Sequence, residues 1–169
     1  MKIKVKIQTE SFNIEQETNV LTSGLRNIGS VVTFTGLVRE SEHFSAGKNP
    51  KIISNLVLEH YAGMTEKLIY EMVEEASKRW DINSVSVVHR IGSLKPTDRI
   101  VFVGVASSHR LESFRAAEYI VDYLKVHATL WKKVVVNGID ECVVPKDLVR
   151  SKFIKWFDLV FLFVVVFLA

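Results

Sequence analysis

Residues 2–8 alternate Ile3, Val5 and Ile7 with Lys2, Lys4 and Lys6. A strand with one face on a core and the other in water has this period of two. Asn13 followed three residues later by Gln16 is a capping-box arrangement and predicts a short helix over 14–23. The run IGSVVTFTGLVR (28–39) is rich in β-branched residues and long enough for a central strand. KIISNLVLEHY (51–61) reads as another strand, and the polar SEHFSAGKNPK (41–51), with its Gly and Pro, reads as a mobile loop. From Thr65 the period lengthens. Leu68, Met72 and Ala76, with Ile69 and Val73 beside them, form a stripe, while Glu66, Lys67, Glu71, Glu74, Glu75 and Lys78 face away. That spacing predicts an amphipathic helix of about four turns.

INSVSVVHRIG (82–92) predicts a strand and LKPTD (94–98) a turn, with Pro early and Asp late. RIVFVGVASS (99–108) is almost wholly apolar, as expected of a strand covered on both faces. Ser108 is placed to cap a second long helix reaching about Ala128, with Leu111, Phe114, Ala117, Val121 and Leu124 as its apolar side. LWKKVVVNG (130–138) and ECVV (141–144) suggest a hairpin turned at Asn137-Gly138. The resulting order, β-α-β-β-α-β-β-α-β-β, has adjacent strand pairs and few helices. It predicts an α+β fold with a mainly antiparallel sheet and two main helices.

Composition narrows this further. The 169 residues are 48% apolar and 24% charged, enough for one buried core and too apolar for general disorder. Residues 1–150 show no repeat, linker or composition break and read as one domain. The end differs: Leu159–Ala169 is uninterruptedly apolar, preceded by Phe153, Ile154, Trp156 and Phe157. A bilayer span needs about 20 apolar residues, and Lys155 and Asp158 cut this one short. The tail 151–169 is left with three readings: a packed edge strand, a membrane-surface anchor, or a non-native end of the reading frame. The opening MKIKVKIQTE lacks the apolar centre of a signal peptide, which makes the cytoplasm the default compartment. A net charge of +3 is too small to mark a dedicated nucleic-acid binder, so any anion site must come from local concentration of cations. The single cysteine, Cys142, rules out an internal disulfide framework and a Cys-cluster zinc site. In its strand it reads as a small buried apolar residue, and Trp80 and Trp131 read as core or interface.

No dinucleotide-binding, phosphate-loop, zinc-protease or serine-nucleophile motif is present, and His43, His60, His89, His109 and His127 lack metal-ligand spacing with carboxylates. No metal is expected. What remains is a set of cations at element ends. Arg39 closes a strand, His109 and Arg110 occupy the first turn of the second long helix, Lys125 lies near its end, and Lys132 and Lys133 open the next strand. Cations at a helix start oppose the macrodipole, so they make most sense where that start receives an anion; a solvated first turn is the plainer alternative. Lys125 falls beside Leu124 and four residues from Val121. An ammonium against an apolar wall loses solvation and becomes a better base or nucleophile, the more so with Lys132 doubled back to face it. The plainer alternative is a lysine snorkelling at a helix end.

Four separated blocks, VVTFTGLVR (31–39), LEHYAGMTEK (58–67), HRIGSLKPTDRIVFVGVASSHR (89–110) and YIVDYLKVHATLWKK (119–133), resemble the large, catalytic subunit of molybdopterin synthase, the MoaE family, over about residues 1–140. The resemblance implies an α/β-hammerhead fold and a homodimer, with a small ubiquitin-like sulfur-carrier subunit at each end. In that heterotetramer the carrier's C-terminal Gly-Gly thiocarboxylate enters the large subunit's pocket. There it converts cyclic pyranopterin monophosphate to the dithiolene of molybdopterin, with no cofactor in the large subunit. Carried over position by position, Lys125 and Lys132 match the catalytic lysines, and Leu37, Val38, Arg39, His109, Arg110 and Lys132–Val134 match substrate contacts. Val134 stands where the family usually carries an acidic residue. IDECVVPKDLVR (139–150) departs from the family's pattern, leaving Lys146 or Arg150 to reach the partner's site. A non-catalytic relative that binds the carrier or a phosphorylated ligand is the alternative.

Overall fold

The computed structural model describes residues 1–42, 51–127, 130–136 and 139–142. Ten strands and three helices are described, in this order: β1 (Lys2–Gln8), α1 (Ile14–Thr22), β2 (Ser30–Leu37), β3 (Ser41–Glu42), β4 (Lys51–Ile52), β5 (Asn55–His60), α2 (Met64–Arg79), β6 (Ser84–Arg90), β7 (Gly92–Leu94), β8 (Arg99–Ser107), α3 (Arg110–His127), β9 (Leu130–Val136) and β10 (Ile139–Cys142). The larger sheet runs β1-β6-β8-β2 and the smaller β10-β9-β5-β7, with β3 and β4 as a separate hairpin. Only β1 and β6 pair in parallel; every other described ladder is antiparallel. The α+β, mainly antiparallel expectation holds, with a third, shorter helix at α1. The predicted Asn137-Gly138 turn, residues 43–50 of the expected loop and the apolar tail lie outside the described residues. The ends of that loop are the paired strands β3 and β4.

Alternation along the central strands sorts side chains into two layers. Val85 and Val87 of β6 and Val103 and Val105 of β8 join Ile69, Met72, Val73 and Ala76 of α2 and Ala116, Ala117 and Ile120 of α3. The intervening positions, Val88, Phe102 and Ala106, point the other way, onto Phe12 and Leu21. β8 is therefore covered on both faces, as its apolar run predicted. Asn13 caps α1 by accepting from the Gln16 N–H at 3.1 Å, and fully buried Leu21 anchors the helix with about 2 kcal/mol of apolar burial. Gly104 makes this seat possible, because a Cβ there would lie 2.5 Å from Leu21 Cδ1.

Two expectations change. β2 is an edge strand, hydrogen-bonded to β8 alone among the described residues, and Val31, Phe34 and Leu37 are exposed along it. The face of α3 on the sheet is Ser113, Ala116, Ala117 and Ile120, all buried, whereas Leu111 and Phe114 are 60% and 61% exposed. Small residues let the helix axis approach the sheet closely, and the larger apolar side chains are turned outward. Among the described residues no helix is long and apolar enough to cross a membrane.

Candidate active site

The cations sit at two ends of one helix. β8 ends at Ser107, paired with Ser30, and α3 starts three residues later at Arg110. The Ser108 hydroxyl does not cap that helix; it donates to the Asn27 carbonyl at 2.9 Å, while the His109 N–H donates to Ser107 Oγ at 3.2 Å. Gly29 must be glycine for this packing, since a Cβ there would lie 2.2 Å from the Ser108 carbonyl oxygen. His109 and Arg110 are both exposed and present two donors beside free N–H groups of the first turn.

Arg39 is at the far end. β2 pairs with β8 from Ser30↔Ser107 to Leu37↔Arg99, so seven strand steps of about 3.3 Å put some 23 Å between the two ends. Lys125 is likewise fifteen helical residues, about 22 Å, from Arg110. Within one chain the five cations therefore do not converge: Arg39, Lys125 and Lys132 gather at one end, and His109 with Arg110 stands at the other.

Local packing fixes the first group. A register shift between Gly36 and Leu37 turns the chain out of the ladder; it occurs where Gly36 passes so close to Val101 that a Cβ would lie 2.8 Å from its Cγ1. Val38 is then buried with Ile53, Leu56, Leu58, Leu94 and Val134, leaving Leu37 and Arg39 exposed on either side of it. β9 enters the same cluster through Val134, which is fully buried. Lys132 shares that face of the strand by the period of two, at the Leu58 register position. Lys133 points the other way and donates to Glu59 Oε1 at 2.9 Å. So the side chains of Val38 and Val134 belong to core, and any contact they make with a ligand is through backbone. Lys125 is exposed two residues before α3 ends, not against an apolar wall of its own chain. Lys146 and Arg150 lie outside the described residues, as do the side chains of His127 and Cys142.

Alongside these two ends runs an outward surface that includes Leu111 and Phe114 of the expected apolar side of the helix. Leu111 and Phe114 recur with Glu118 and Lys125 at helical spacing, on the side of α3 away from α2. The opposite side meets α2, where the Tyr119 ring packs tilted by 57° against Trp80, centroids 5.4 Å apart, and lies under Arg79 at 4.9 Å. α2 packs on β1 and α3 on β8 and β2; the outward stripe therefore borders the unpaired edge of β2. Among the described residues no cluster of three or more His, Cys, Asp or Glu side chains is placed to hold a metal ion.

The family model described as MoaE protein matches residues 7–127. The chain is 46% identical over 130 residues to the molybdopterin synthase catalytic subunit of Yersinia pestis, covering 77% of this chain and 82% of that one. It is 40% identical over 156 residues to the protein of the same name from Vibrio cholerae, covering 92% of this chain and 99% of the relative. Among solved structures, the molybdopterin biosynthesis MoaE protein of Burkholderia ambifaria superposes with a TM-score of 0.73 at 33% identity, covering 90% of this chain and 98% of that one.

Proposed function

The chain belongs to the MoaE family and is an enzyme of molybdopterin biosynthesis; from that premise we propose that it transfers sulfur to cyclic pyranopterin monophosphate at a site shared by two copies of itself. The observation that carries this reading is the separation of the cations along α3. A small phosphorylated pterin cannot bridge about 22 Å of helix, so Arg39, Lys125 and Lys132 need their anion-binding counterpart from elsewhere. A second copy supplies it. Related by a two-fold axis across the free edge of β2 and the Leu111–Phe114 stripe, two chains run these elements antiparallel. The His109–Arg110 end of each then falls beside the Arg39–Lys125 end of the other. The exposed apolar side chains on that edge are what such an interface buries.

Each group has a task. His109, Arg110 and the N–H groups of the first turn of α3 bind the phosphate, and the planar guanidinium of Arg39 takes a second edge of the substrate. The nucleophile arrives with the partner, a small ubiquitin-like carrier whose Gly-Gly terminus ends in a thiocarboxylate. Its sulfur replaces an oxygen on a side-chain carbon of the pterin, and water then hydrolyses the resulting thioester, releasing the carrier as a carboxylate. A second carrier repeats the step at the adjacent carbon, and of the two displaced oxygens one leaves as water and the other stays on the phosphate as its ring opens. Lys125 and Lys132 move the protons that carbon–sulfur bond formation and opening of the cyclic phosphate require, and Lys125 stabilises the acyl oxyanion as the thioester is hydrolysed. The dimer also gives Lys125 the wall it lacks in the isolated chain, since it lies on the stripe that the second copy covers. Residues 1–150 form the domain that does this work.

The test is incubation with thiocarboxylated carrier and cyclic pyranopterin monophosphate, scoring dithiolene product. Wild-type protein is expected to form it. Lys125→Ala and Lys132→Ala are expected to lose it by at least about a hundredfold, the usual scale for a general acid–base group, with unchanged thermal midpoints. Full activity in either variant would overturn the assignment.

A further inference from the structure

The segment that ends in Arg39 is clamped by a turn with an uncommon backbone. Lys95 to Asp98 form a tight turn closed by the Asp98 N–H donating to the Lys95 carbonyl at 3.0 Å. Pro96 takes its second position and Thr97 its third, with φ of 73°. Glycine or asparagine is usual there, and a β-branched residue at positive φ is strained. Strain of this kind persists only where neighbouring contacts impose it. Here they are visible. The Asp98 carboxylate accepts from the Lys95 N–H at 3.0 Å, folding the turn from inside. Arg90 lies 3.8 Å from the same oxygen and is itself fixed by donating to the Thr9 and Arg99 carbonyls at 3.1 Å each.

The turn holds Val38 by both of its backbone groups: the Val38 N–H donates to the Asp98 carbonyl and its carbonyl accepts from the strained Thr97 N–H, each at 2.9 Å. Val38 lies beyond the register shift at Gly36 and Leu37, where the ladder no longer dictates its position. These two bonds replace the ladder, and the next residue is Arg39.

We infer that Asp98 is a positioning residue for Arg39: its carboxylate, steadied by Arg90, keeps the Lys95–Asp98 turn in the conformation that sets the Arg39 backbone so that its guanidinium reaches the substrate. The inference rests on the reading of Arg39 as a substrate contact. Asp98 touches no substrate and acts only through the segment it clamps, so its loss is felt in substrate binding before chemistry.

The experiment is a double-mutant cycle in the full chain with its carrier, measuring KM for the cyclic pterin, kcat and the thermal midpoint. Asp98→Ala is expected to raise KM about tenfold, within the scale by which a displaced positioning group weakens a reaction, with kcat within a factor of about two. Asp98→Asn keeps an oxygen for the Lys95 N–H and is expected to recover most of the wild-type KM. In an Arg39→Ala background, Asp98→Ala is expected to add nothing further to KM, since the group it positions is gone. An unchanged KM in Asp98→Ala overturns the inference, and so does an Asp98→Ala effect that persists undiminished without the Arg39 side chain. If Arg39→Ala itself leaves KM at the wild-type value, the reading of the site fails, and this inference fails with it. Should Asp98→Ala not fold, Asp98→Leu, which keeps side-chain bulk but offers no acceptor to the Lys95 N–H, carries the same cycle with the same expected outcomes.

Discussion

His89 shows how far burial alone sets the chemistry of a side chain in this protein. The residue is 7% exposed, and its Nδ1 donates to the Arg90 carbonyl at 2.8 Å. Removal from water, opposed by the Arg90 carbonyl and helped by nearby His60, lowers its pKa from 6.5 to about 4. The ring is thus neutral in the folded chain. Above pH 6.5 neither the folded nor the unfolded state is protonated there, and the fold keeps its full stability. As pH falls from 6.5 towards 4, the unfolded chain takes up a proton that the folded one refuses, and up to about 3 kcal/mol is lost. Thermal midpoints between pH 7 and 4.5 are expected to fall less steeply for His89→Asn than for wild type, and equal slopes would contradict this. Residue-scale chemistry was only partly legible in the sequence. Lys132 and Lys133 are neighbours in the text, yet the pleat sends one to the face of Val134 and the other to Glu59. The sequence alone does not say which face meets the core. The clamp around Val38 is hidden for a related reason: LKPTD reads as a turn, but its target lies 59 and 60 residues from the Thr97 and Asp98 that hold it, in a segment that hydrophobic patterning cannot pair with it.

At the scale of elements, the strands and helices follow from pattern and their neighbours do not. Capping at Asn13, the stripe of α2 and the unbroken apolar run of β8 each gave the right element, because each is a local consequence of period and propensity. The same logic is right for part of the apolar face of α3, where Ala117, Val121 and Leu124 pack on the core, and fails at Leu111 and Phe114. Leu111 and Phe114 are more hydrophobic than Ser113, but Ser113 packs inside, its Oγ 2.8 Å from Ser30 Oγ. Hydrophobicity locates a buried surface without saying whether the chain itself or a second chain covers it. β2 teaches the same point, since a β-branched run long enough for a central strand sits at an edge. Packing between elements makes its own prediction. A methyl group at residue 104 would stand 2.5 Å from Leu21 and 2.9 Å from the Phe102 ring. Gly104→Ala is therefore expected to cost about 1–3 kcal/mol by overpacking. Combined with Leu21→Ala, which vacates the space, the added cost of Gly104→Ala should shrink by more than half. Strict additivity in denaturant titrations would show that α1 does not seat there.

For the molecule as a whole, the proposed site divides its cations between two groups, at opposite ends of α3 and of β2. Two-fold symmetry across their shared border would complete both sites at once, each from one copy's Arg39, Lys125 and Lys132 and the other copy's His109 and Arg110. The arrangement is best tested by complementation between defective copies. Arg110→Ala and Lys125→Ala chains, each inactive as a homodimer, are unfolded together, refolded in equal amounts with different affinity tags, and assayed for dithiolene with thiocarboxylated carrier. A shared site predicts that half the dimers are mixed and that each mixed dimer has one intact site of two, returning about a quarter of wild-type activity. Mixed dimers that form and stay inactive would contradict the account, because they would place all the essential cations of each site in a single chain.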